Sequence, residues 1–237
     1  IIENDNCIPE PLETAICVEE HRWFWKPEIV KFILVAESHV YTNKNEIQVK
    51  IDLNRLPNYV PKNIPLCFVR FVYCLSYGNS CLLSEPERIE YNRGSNQYVN
   101  LFAKCVGLDK KPEKMKRLKW KVKVLKTISK RGIWLLDASL HACYYGKNRQ
   151  TYMQENNERK DSNRLPSKIV EKIIPISWRQ YVKPIIDGIP IDEKCVWMVG
   201  KTLHDTLSSK CGWNSDMWIY QPNVRFQKNS EYYGEKR

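Results

Sequence analysis

The stretch FILVAESHVYTNKNE, Phe32 to Glu46, decides how this chain is read. Phe32 to Ala36 is continuously apolar, as in a strand covered on both faces of a parallel sheet. The chain then turns abruptly to acid, hydroxyl, imidazole and phenol at Glu37, Ser38, His39 and Tyr41. Three further short segments read as strands: GIWLLDA from Gly132, VWMVG from Val196 and MWIY from Met217. Helical candidates lie between them. IPLCFVRFVYCLSYG ends at Gly78, and EKMKRLKWKVKVLKTISKRG spaces Met115, Leu118, Val122, Leu125 and Ile128 by three and four residues, with Gly132 as the stop. SWRQYVKPIIDGI and KTLHDTLSS read as two more, the second following VWMVG through a tight turn. Strands alternating with helices predict an α/β fold, a three-layer α/β/α sandwich around a mostly parallel four-stranded sheet.

One domain is expected over residues 1–237, with 1–22 as an N-terminal extension and the polar, aperiodic stretch 146–168 as a long exposed loop. Hydrophobic residues make up 43% of the chain, enough for a real core, and 38 Lys and Arg against 27 Asp and Glu give a formal charge of +11. That excess favours a polyanionic partner over a small neutral one. The nine cysteines are scattered singly with no C-x-x-C pair, so reduced thiols, no metal or iron–sulfur cluster and no cofactor are expected. No apolar run reaches the ~20 residues of a membrane span, and the opening residues lack the order of a signal peptide. The sequence is therefore read as soluble and cytoplasmic, with a monomer as the default.

Ligands of open parallel sheets bind beyond the carboxyl ends of the strands. There the first strand ends in Glu37-Ser38-His39-Val40-Tyr41, the second in Asp137-Ala138-Ser139 with His141 behind, and the fourth in Gln221-Pro222-Asn223, then Val224-Arg225-Phe226. The order of the stretches VAESHVY, WLLDAS, VWMVGKTLHDTL and IYQPNVRF resembles the uracil-DNA glycosylase superfamily, over about Trp23 to Phe226. In that family the corresponding motifs are a water-activating G-Q-D-P-Y or G-E-x-P, a base-recognising L-L-N, a strand and helix like FLLWG, and H-P-S.

The resemblance implies a DNA glycosylase that flips out a base and hydrolyses its N-glycosidic bond, leaving an abasic site. The departures are informative. Ser38 stands at the catalytic Asp or Asn position and cannot act as a carboxylate base, so Glu37 is the first candidate to orient water and offset sugar charge. Asp137 replaces the recognising Asn; an ionised carboxylate only accepts, which disfavours uracil and favours a cytosine-type or modified cytosine base. Tyr41 is the candidate stacking residue, His39 and His141 candidate donors to the leaving base, and Gln221 with Asn223 the base-contacting turn. Arg225 matches the wedge position, and Lys147, Arg149 and Lys201 are candidate phosphate contacts. Two other readings stand beside this one. The first is a nucleic-acid-binding module that keeps the fold without catalysis; the second is a hydrolase using Ser38 or Ser139 with His141, although no G-x-S-x-G elbow is present.

Overall fold

The structure, a computed structural model, describes residues 10–92, 94, 96–108, 116–145 and 164–221. Four strands, β1 (Val30–Ala36), β2 (Ile133–Asp137), β3 (Ile191–Val199) and β4 (Trp218–Tyr220), form one parallel sheet in the order β2-β1-β3-β4. All pairings are parallel, with Ala36 opposite Asp137 and Val35 opposite both Leu136 and Val199. The α-helices among the described residues are α1 (Leu12–Phe24), α2 (Asn96–Cys105), α3 (Arg117–Lys130), α4 (Ser167–Ser177), α5 (Lys183–Asp187) and α6 (Lys201–Cys211), with a π-helical turn, Trp178–Val182, joining α4 to α5. The chain is thus α/β, each predicted strand is present, and no helix among the described residues is long and apolar enough to cross a membrane.

β2 lies at the edge of the sheet yet is buried throughout. Its outward backbone groups are taken by side chains: Leu135 N donates to the Tyr73 hydroxyl at 3.0 Å, and Leu135 O accepts from Arg22 Nη1 at 2.9 Å. An open edge is thereby closed without another strand. The turn from α3 into β2 runs through Gly132 at φ 77°, where a Cβ would stand 2.9 Å from Ile29 O. Only glycine meets that close approach in a left-handed conformation.

Three expectations are corrected. IPLCFVRFVYCLSYG is not a helix; residues 64–78 cross the core as turns and isolated bridges, although most of their side chains are buried. Pro65 and the β-branched and aromatic residues disfavour helix. The carbonyls such a segment leaves over are instead capped from outside: Trp25 Nε1 donates to Tyr73 O (3.1 Å), and Lys121 Nζ to Cys74 O (2.7 Å) and Tyr77 O (3.1 Å). This is why Lys121 stands among Leu118, Val122, Leu125 and Ile128 on the buried face of α3.

Second, of the stretch 1–22 read as an extension, residues 1–9 lie outside the described residues, and the rest is no mere extension because α1 buries Thr14, Cys17, Val18, His21 and Arg22 in the core. Its buried stripe is largely polar, so apolar periodicity did not mark it. Third, the thiols are not all reduced: Cys17 and Cys67 form a disulfide joining α1 to the irregular segment. Of the stretch read as a loop, residues 146–163 lie outside the described residues, whereas Arg164 bridges to Tyr144 and Ser167 begins α4.

Candidate functional site

The chain leaves β1 for β2 on one side and returns to β3 on the other before continuing to β4. The crossovers therefore diverge between β1 and β3, and their carboxyl ends leave a crevice there, the usual ligand position in an open parallel sheet. A cleft of 410 Å³ occupies that point. Val35 and Glu37 line it from β1, Gly200 to Leu203 from the start of α6, Gln221 from beyond β4, and Tyr98, Tyr144, Arg164 and Ser167 from the remaining walls.

Within this cleft Glu37 is held from two sides. Arg164 Nε donates to Glu37 Oε2 at 2.7 Å while Nη2 donates to Oε1, and the Tyr144 hydroxyl donates to Oε2 at 2.7 Å. A forked guanidinium fixes a carboxylate in orientation as well as position. The carboxylate in turn holds the Arg164 guanidinium firmly protonated, and burial followed by the Glu37 charge raises the Tyr144 phenol above its ordinary range. Tyr98, raised chiefly by burial, hydrogen-bonds Gln221, whose backbone N–H is anchored on Val199 O at 2.9 Å. Lys201 is exposed in the first turn of α6, whose unpaired N–H groups add partial positive charge to the same wall. Glu37, Gln221 and Lys201 of the sequence-predicted residues thus come together in one cleft.

Asp137 does not join them. Side chains alternate along a strand, and the pairing of Ala36 with Asp137 puts Asp137 on the sheet face of Ala36, opposite that of Val35. There Asp137 Oδ2 accepts from Arg22 Nη2 at 2.8 Å and lies 3.3 Å from His39 Nδ1, while His39 Nε2 is 2.9 Å from Glu10 Oε2. Burial alone would lower the His39 pKa, but the carboxylates of Glu10 and Asp137 outweigh it and raise the value to about 10. The imidazolium therefore donates from both nitrogens. Burial acts against the Asp137 charge too, yet Arg22 and His39 hold its pKa below the ordinary 3.8. Among the described residues Asp137 Oδ1 has no hydrogen-bond partner, and the space that Asp137 lines there measures only 10 Å³, far too small for a base.

The remaining candidates are structural in their contacts. Ser38 Oγ donates to His39 O (2.8 Å) and accepts from Cys143 N (2.7 Å). Tyr41 is buried against Tyr145, ring centroids 5.2 Å apart, away from the cleft. His141 Nε2 accepts from Glu10 N at 2.9 Å and its Nδ1 donates to Ala142 O at 2.7 Å, which fixes a neutral ring; burial lowers its pKa accordingly. Ser139 Oγ donates to the backbone of His141 rather than to its ring, so no Ser–His pair is assembled. Asn223, Arg225, Lys147 and Arg149 lie outside the described residues.

Sequence reasoning missed Glu10, Arg22, Tyr98, Tyr144 and Arg164. Arg22 carried a faint signal, a cation one turn from Val18 on a helix face. The others owe their roles to contacts across more than 25 residues of chain, which no local pattern encodes. Compared with known proteins, the chain matches no family model, no curated protein and no solved structure.

Proposed function

We propose that this protein hydrolyses an N-glycosidic bond in DNA, receiving an extruded base in the cleft between β1 and β3. The observation that carries the reading is the placement of Glu37 in a 410 Å³ cleft at the switch point, between two tyrosines, an arginine and an amide. A volume of this size suits a single nucleotide. A chain of formal charge +11 suits a phosphate backbone.

In this reading a phosphate draws Arg164 away from Glu37, exchanging one bidentate anion for another, and the freed carboxylate orients a water toward C1′. The water oxygen bonds to C1′, the C1′–N bond breaks with its electron pair going to the base, and Glu37 takes the water proton. Gln221 and the first turn of α6 face the departing base as neutral donors, and Tyr98 or Tyr144 offers it a flat surface. The preference for a cytosine-type base that the sequence suggests rests on Asp137, which is engaged on the other sheet face. An amide pairs with the edges of both uracil and cytosine, so base choice is open to both.

A second reading, a DNA-binding module without catalysis, is favoured by one observation: both carboxylate oxygens of Glu37 are occupied and the Ser38 hydroxyl is spent on backbone. Labelled oligonucleotides carrying uracil, thymine, cytosine, hydroxymethylcytosine or its glucosylated form, treated with alkali after incubation, separate the two. Strand breaks at one base, lost in Glu37→Gln, support hydrolysis. Salt-dependent binding without breaks on any substrate supports the module.

A further inference from the structure

On the side of the molecule where α1 meets the irregular segment, Cys17, His21 and Cys67 bring two sulfurs and a ring nitrogen within 4.8 Å of one another, all three residues buried. Cys17 and His21 are four apart on α1 and so share a face, one turn above the other. His21 Nε2 lies 2.9 Å from Cys67 O, which holds the ring beside the third residue. We propose that Cys17, His21 and Cys67 form a zinc site, occupied when the two cysteines are reduced and mutually exclusive with their disulfide.

Three observations beyond the cluster carry this. Two thiolates and an imidazole are the ligand types zinc prefers, and the His21 ring also hydrogen-bonds the buried Cys74 thiol, a further soft donor beside the cluster. Glu20 Oε2 stands 3.3 Å from Cys67 Sγ, a contact in which a disulfide sulfur has no proton to give; a cation between them satisfies both. Glu20 is also exposed, so it supplies a fourth ligand and an entry path from solvent. Finally, six further cysteines among the described residues are free, Cys74 and Cys143 buried among them, the pattern of a chain that works with its thiols reduced.

The exchange balances as follows. A dithiol supplies two electrons and two protons, breaking the Cys17–Cys67 bond and itself closing to a cyclic disulfide. Zinc then replaces the two thiol protons, which pass to solvent. The site is independent of the cleft, so its test does not depend on glycosidic activity.

The full chain, purified with a thiol reductant and without chelator, is analysed for metal by inductively coupled plasma mass spectrometry, and its zinc affinity is measured against a chromogenic chelator. Stoichiometric zinc is expected, with affinity reduced by more than about tenfold in His21→Gln and in Cys17→Ser. His21→Gln retains a donor for Cys67 O, and its circular dichroism should match the parent. Oxidation should expel the metal and yield a Cys17–Cys67 cross-link in a non-reducing peptide map. A reduced protein without zinc, or unchanged affinity in both variants, would overturn the proposal.

Discussion

At Glu37 the proposed hydrolysis depends on whether Arg164 can leave. The pair is only partly buried, 28% and 15% of the two side chains remaining exposed, so breaking it costs on the order of 1 kcal/mol. Arg164→Ala is therefore expected to leave thermal stability almost unchanged while weakening oligonucleotide binding and flattening its salt dependence by about one phosphate contact. Isotherms at three salt concentrations measure this. Arg22 is the opposite case, with side chains 3% exposed on both sides of its ion pair with Asp137. Removing Arg22 leaves the buried Asp137 with His39 alone and uncaps Leu135 O, so Arg22→Ala should lose about 3 kcal/mol in urea unfolding. The double variant with Asp137→Asn should lose less than the sum of the two.

At the scale of elements, the start of α6 faces the cleft with Lys201 in its first turn. Lys201→Glu should cut DNA affinity at low salt by roughly tenfold, an effect that shrinks as salt screens it. Equal loss at high and low salt would speak for a disturbed helix instead. The strands were legible because parallel strands are apolar throughout, and α3 because its apolar residues keep helical spacing. Residues 64–78 were misread because burial in a helix and burial in an irregular segment leave the same apolar signature. What distinguishes them is Lys121, Trp25 and His21, distant side chains that cap the segment's carbonyls. Likewise the polar tail after Phe32 to Ala36 was readable as a strand-end site, but not that Glu37 and Asp137 would part to opposite faces. That follows from the register Ala36 to Asp137, a property of the pair rather than of either strand.

Across the whole molecule, two buried cations give stability an unusual pH dependence. His39, raised from 6.5 to about 10, contributes stability that is complete below pH 6.5 and is lost as pH rises through 10. Lys121 runs the other way: burial pushes it from 10.5 down to about 7, so the molecule gains stability as pH rises between those values. The two oppose each other between pH 7 and 10, and Cys74, whose thiol His21 pulls from 9.0 down to about 6 against its burial, adds a further gain in stability up to pH 9. Relative to the parent protein, urea midpoints should climb more steeply over pH 7 to 10 in His39→Gln and less steeply in Lys121→Met. Below pH 3.8 all three proteins should weaken as Asp137 becomes protonated. The measurement that bears most directly on function is the intact mass of an oligonucleotide after incubation with the protein or with Glu37→Gln. The account predicts loss of one base and gain of one water with the parent protein alone; unchanged mass with both, or the same loss with both, would contradict it.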